Sequence, residues 1–235
     1  MSLQQHSFFP ALGNHDGSKF RSFIKTKTPK QRHYKYQLER TVSKEFWQKN
    51  IPQIDNNVKQ YFPFFYSVTL EHHVFIFIDA SGHQFSDDEF VLLEQMLNQV
   101  RENHSIFVVG HLPISGIAKR RNRFGEVLAN SERFLDLFDK YQVAAYISGH
   151  QHAYYPSKIA STFLINSGGF PARQYVGSEQ TPVEIVSVLS VNKTNSDFYV
   201  TSYEANSLKL IKKNALPNEI KGYPITLRKF DIRSK

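Results

Sequence analysis

Three short runs carry the groups best suited to chemistry in this chain: Gly13-Asn14-His15-Asp16, Gly110-His111 and Gly149-His150-Gln151-His152. Imidazole nitrogens together with carboxamide and carboxylate oxygens suit borderline divalent and trivalent ions such as Zn, Mn, Fe and Ni. Two of the runs follow short apolar stretches rich in β-formers. Residues 105–109 (Ser-Ile-Phe-Val-Val) lead into Gly110, and residues 143–148 (Val-Ala-Ala-Tyr-Ile-Ser) lead into Gly149. In each, the glycine lets the chain turn and the histidine leaves the strand end. Polar groups delivered from several strand ends to one edge of a sheet are how α/β proteins build metal and phosphate sites. One histidine after a strand is ordinarily a hydrogen-bonded or solvent-facing residue. A repeated Gly-His at strand ends, with His-x-His and Asn-His-Asp beside it, argues against that reading here.

In order and spelling these motifs resemble the calcineurin-like metallophosphoesterase superfamily, and within it the purple acid phosphatase branch. That family's pattern is Asp-x-His, Gly-Asp, Gly-Asn-His-Asp/Glu, Gly-His and Gly-His-x-His, each following a strand of a two-sheet sandwich. The last three are present in order, and residues 153–155 (Ala-Tyr-Tyr) and 163–169 (Phe-Leu-Ile-Asn-Ser-Gly-Gly) extend the likeness, which covers about residues 8–210. No Asp-x-His and no Gly-Asp occurs anywhere in the 235 residues. The resemblance therefore implies a partial αββα sandwich of two mixed sheets flanked by helices. The chain would correspond to the C-terminal two-thirds to three-quarters of such a domain, with the N-terminal strands missing.

Residue by residue, the resemblance implies that Asn14, His111 and His150 hold the second metal and that His152 is the remaining ligand of the first. His15 would face the substrate phosphate, and Asp16 would orient His15. The activity implied is metal-dependent hydrolysis of phosphomonoesters or phosphodiesters. Two ions, drawn from Mn, Fe and Zn, serve the family. This chain is expected to hold one or none, because three neutral ligands support a single ion with open positions and His152 alone supports no other. The alternative is a catalytically inactive remnant that binds a phosphate ligand or a protein. Arg120 and Arg121, in the cationic loop 119–123 beside His111, are the candidates for binding a phosphorylated substrate.

Composition narrows the field further. A net charge of +8 suits an anionic partner without identifying one. The absence of cysteine excludes disulfides, thiolate metal sites and cysteine nucleophiles. No apolar run reaches bilayer-spanning length. Residues 1–6 have neither the basic nor the apolar region of a signal peptide, and the compartment stays open. Residues 1–215 read as one phosphoesterase domain carrying a basic insertion at about 17–60, and 216–235 as a tail. Ten Lys and Arg between Ser18 and Asn50 face only Glu39 and Glu45, with Tyr34, Tyr36, Phe46 and Trp47 interleaved. An irregular, solvated lobe is favoured over a nucleic-acid surface there, since no nucleic-acid motif accompanies it.

The elements that must position these residues follow from periodicity. Residues 8–12 read as a short strand interrupted by Pro10. Its unpaired edge would invite association with another copy. Residues 64–70 and 74–79 read as paired strands. Ser86 with Glu89 is a capping box opening a helix whose stripe is Phe90, Leu93, Met96, Leu97 and Val100. A second helix is expected over 131–141 with Phe134, Leu135 and Phe138 inward. The strand–helix–strand order implies parallel crossovers and an α/β layer. Residues 183–191, 196–203 and 207–212 read as antiparallel strands.

Overall fold

The computed structural model describes residues 7–19, 28–51, 53–100, 103–180, 183–195, 197–221 and 223–224. Six strands form one mixed sheet: β1 (Tyr66–Leu70), β2 (His73–Phe77), β3 (Ser105–Val109), β4 (Val143–Ser148), β5 (Tyr154–Ile159) and β6 (Thr162–Ser167), in the order β1-β2-β3-β4-β6-β5. The centre is parallel, from β2 through β3 and β4 to β6, and an antiparallel strand closes each edge. β7 (Ile185–Val191) and β8 (Phe198–Glu204) form a separate antiparallel pair, and β9 (Glu219–Ile220) pairs with β10 (Tyr223–Pro224).

The parallel centre demands crossovers; helices supply those from β2 to β3 and from β3 to β4, and the connection from β4 to β6 runs through β5. α2 (Asp87–Asn98) begins at Ser86, whose hydroxyl accepts from Glu89 N while Glu89 returns the bond to Ser86 N, so two otherwise orphaned donors are satisfied. α3 (Ser131–Lys140) lies between β3 and β4. Phe90, Leu93, Met96 and Leu97 of α2 join Phe134 and Phe138 of α3, with Ile76, Val108 and Tyr146 of the sheet, in one buried cluster. Phe107, next to Val108 on β3, belongs to a second cluster with Ile165, Tyr155 and the β7–β8 residues Ile185, Phe198 and Val200. Adjacent β3 residues thus feed opposite cores, as a strand period of two requires. Helices cover one face of the large sheet and a small sheet covers the other.

Several sequence expectations need correction. Residues 29–49 are not irregular: they form α1 (Pro29–Lys49), 21 residues opened by a proline at its first position. Residues 8–12 join no sheet. They run extended, tied down by the Tyr66 hydroxyl donating to Pro10 O at 2.7 Å and by Phe9 against Phe77. The expected strand over 207–212 reduces to one bridge, Tyr203 to Leu210. β5 forms even though Pro156 sits inside it, a residue that argues against a strand in the sequence. An edge strand tolerates a residue without an N–H, and β5 is an edge. No described helix is long and apolar enough to cross a membrane.

Candidate metal and phosphate site

The two Gly-His motifs lie where β3 and β4 end, so both histidines leave the same edge of the sheet. Gly110 N donates to Ile147 O and Gly149 N donates to His111 O, which ties the two turns together. His150 and His152 both have positive φ, 63° and 55°. Such a conformation is uncommon for a residue with a Cβ and is characteristic of functional turns. The Gly-Asn-His-Asp loop arrives beside them as a turn in which Asp16 Oδ2 accepts from Gly13 N at 2.9 Å and Asp16 N donates to Gly13 O. Glycine is required at position 13 for close approach: a Cβ there would stand 2.8 Å from the His111 ring.

Asn14, His111 and His150 are brought together. His111 Nε2 lies 2.7 Å from Asn14 Oδ1 and 3.1 Å from His150 Nδ1, and His150 Nδ1 lies 3.3 Å from Asn14 Oδ1. Three donors bound to one transition ion at about 2.0–2.1 Å, at octahedral to tetrahedral angles, would stand about 2.9–3.4 Å apart. The two distances to His150 Nδ1 fall in that range, and the His111 Nε2–Asn14 Oδ1 distance is shorter, at hydrogen-bond length. Both rings favour the neutral form that a ligand needs. Burial, and then the neighbouring His150, push the His111 imidazole down to about 3. Burial likewise lowers His150.

The ring of His150 is fixed from its other side. Its Nε2 lies 2.7 Å from Glu126 Oε2. Arg121 Nη1, which only donates, lies 2.9 Å from the same Nε2, while the shorter contact is to a carboxylate, which only accepts; with the Nε2 hydrogen directed at Glu126, Nδ1 presents its lone pair to the Asn14–His111 side. Arg121 Nη1 donates to the same Oε2 at 3.0 Å, and the ionised form of Glu126 is favoured overall, its His150 and Arg121 partners outweighing burial. Gln151, fully buried, holds the loop that carries both residues. Its Oε1 accepts from Ile117 N and Ala118 N, and its Nε2 donates to Arg121 O and Glu126 O.

The remaining candidates lie around this centre. His15 is exposed and, with Asn14, Arg121, Arg123, Glu126 and His150, lines a cavity of about 480 Å³. Asp16 is exposed, its carboxylate engaged with the backbone of its own turn. His152 Nδ1 donates to Pro171 O at 3.1 Å, and its ring is near enough to His111 and His150 to act on both electrostatically. Arg120 is exposed and does not line the cavity, whereas Arg123 does. Among the described residues no group of three or more His, Cys, Asp or Glu is placed to hold an ion. The triangle depends on the carboxamide of Asn14.

Sequence reasoning missed Glu126, Gln151, Arg40 and Asp79. Arg40 on α1 donates to Gly17 O at 2.9 Å and to Asp79 Oδ2 at 2.7 Å, joining the first motif to the end of β2. Nothing marks these residues in the sequence, because each acts through a partner far along the chain. The one local hint is Gln151, whose place between two motif histidines fixes its direction.

A family model described as calcineurin-like phosphoesterase matches residues 1–154, and the chain belongs to that family. Comparison with curated proteins finds no match. Among solved structures, a purple acid phosphatase from yellow lupin seeds is 15% identical with a TM-score of 0.62, over 86% of this chain and 39% of that one. GAP50, the anchor in the inner membrane complex of Plasmodium, is 18% identical with a TM-score of 0.46, over 63% and 51%. This chain therefore spans about half or less of the length of those two structures. The lupin likeness supports the mixed-sheet phosphoesterase fold.

Proposed function

We propose that the chain binds one transition-metal ion through Asn14, His111 and His150 and acts there on phosphate esters. The observation that carries this is the donor triangle of 2.7, 3.1 and 3.3 Å at the ends of β3 and β4. Family membership adds the reaction class, metal-dependent hydrolysis of a phosphoester. A bound ion supplies neutralisation of phosphoryl charge and polarisation of the oxygen undergoing attack. The chain's own residues supply the rest. Glu126 takes the His150 Nε2 hydrogen and so holds the ligand tautomer. Arg121 and Arg123 line the cavity and offer guanidinium groups to phosphate oxygens. His15, exposed on the same cavity, is the proton donor for the leaving oxygen. Mn, Fe and Zn all suit the donor set.

A second reading, phosphate-ligand binding without turnover, is favoured by the donors themselves, which are all neutral and bring no carboxylate to the ion. Titration of the purified protein with Mn²⁺, followed by assay of an aryl phosphate, tests both. Stoichiometric Mn²⁺ binding with hydrolysis that falls in His15→Ala supports the enzyme. Binding of Mn²⁺ and inorganic phosphate without hydrolysis supports the binding module. Absence of Mn²⁺, Fe²⁺ and Zn²⁺ binding refutes the site.

A further inference from the structure

The cavity beside the donor triangle is larger than a phosphate group needs and falls in the size range of small-molecule sites, at about 480 Å³. Its lining changes character away from Asn14 and His150. Phe124 lines it while 83% exposed, the highest exposure of any large apolar side chain among the described residues. A solitary exposed phenylalanine on an open surface needs no explanation. One set in a cavity beside two arginines does, because it adds a flat aromatic wall to a lining that is otherwise mostly polar and charged. His83 packs against it as a T-shaped pair with ring centroids 4.6 Å apart. Gly125, at φ 86°, turns the chain directly after it. The next residue, Glu126, is the one that holds His150, so a single short loop presents both the aromatic ring and the group that orients the metal ligand.

We propose that Phe124 is a stacking platform for the leaving group, and that the substrate is a phosphate ester whose alcohol carries a planar aromatic ring. This rests on the phosphoester reading above. A nucleobase and a phenol ring share the required flat π-face, while an aliphatic alcohol leaves Phe124 in water. Arg121 and Arg123 hold the phosphate end, and the aromatic wall selects the other. Stacking of one base on one aromatic side chain is sequence-tolerant and is lost on truncation to alanine.

The test is calorimetric titration of the Mn²⁺-loaded protein with AMP, phenyl phosphate, glycerol 3-phosphate and inorganic phosphate. It is run on the parent, Phe124→Ala and Phe124→Tyr. The exposed position of Phe124 leaves the packed core untouched by either substitution. The expected result is about tenfold tighter binding of an aromatic ester than of glycerol 3-phosphate, with the ratio falling towards one in Phe124→Ala and kept in Phe124→Tyr. AMP above phenyl phosphate identifies a nucleobase, and the reverse identifies a phenol ring. Equal binding of all the esters, or a preference that survives Phe124→Ala, overturns the stacking platform and leaves the phosphoester reading standing. Failure of every phosphate compound to bind, inorganic phosphate included, overturns both.

Discussion

Glu126 and Gln151 show how little of a site consists of its ligands. Glu126 Oε2 lies 2.7 Å from His150 Nε2 and favours a hydrogen there, and Gln151 makes four hydrogen bonds that hold the loop on which Glu126 rides. Glu126→Gln removes the charge that favours Nε2–H while keeping the shape. Partners of this kind typically affect metal affinity 10–100-fold, so we expect Mn²⁺ affinity to fall about tenfold with far-UV circular dichroism unchanged. Equal affinity would mean that the backbone turn alone orients His150. Gln151→Ala leaves two buried N–H and two C=O groups to find other partners. Urea unfolding should show a loss of about 3 kcal/mol, and a loss below about 0.5 kcal/mol would show that water replaces the amide there. Asn14, His111 and His150 were legible as residues because each stands in a compact motif. Glu126 and Arg40 were not, since an ion pair or a tautomer-setting contact has no local spelling.

At the scale of elements, legibility followed amphipathicity. α2, α3, β3 and β4 bury clear stripes, and their positions could be read from spacing. α1 could not, because its described side chains form no continuous core-facing stripe. Leu38, Val42 and Phe46 are exposed, and its inward anchors are Trp47, packed against the core, and the guanidinium of Arg40. That anchor is an ion pair with Asp79, whose side chain is buried. Arg40→Ala removes the cation from Asp79 Oδ2 while Ser81 still donates to Oδ1, and a loss of about 3 kcal/mol in unfolding free energy is expected. A loss below about 1 kcal/mol would show that Asp79 protonates or reaches water. α2 offers a smaller test: Ser86→Ala removes the hydroxyl of the capping box and should cost about 1 kcal/mol. α2 and α3 are also joined by Lys140 donating to Glu94 at 2.7 Å, a hydrogen bond that holds the Glu94 carboxyl below its usual range. A depressed carboxyl contributes stability above its unfolded value and loses it as pH falls through the lower folded one. Glu94→Gln should therefore flatten the acid limb of the stability profile. An unchanged limb would show that the pair, being exposed, is fully screened.

For the whole molecule, the fold makes the site a convergence of segments distant in the chain. His111 and His150 come from neighbouring parallel strands, and Asn14 comes from a turn 97 residues before His111. The helix layer and the β7–β8 layer clamp the sheet from its two faces, so the strand ends that carry the histidines are fixed by packing on both sides. Composition and periodicity could supply the layers, and the motifs could supply the candidate ligands. Their convergence follows only once the strand order is known. Whether Asn14, His111 and His150 form one ion site is decided by calorimetric metal titration of the parent and of His150→Ala. One Mn²⁺ per chain is expected in the parent, held at a site that His150→Ala abolishes while circular dichroism stays the same. Tight binding of two ions by the parent, or binding that survives His150→Ala, would contradict it.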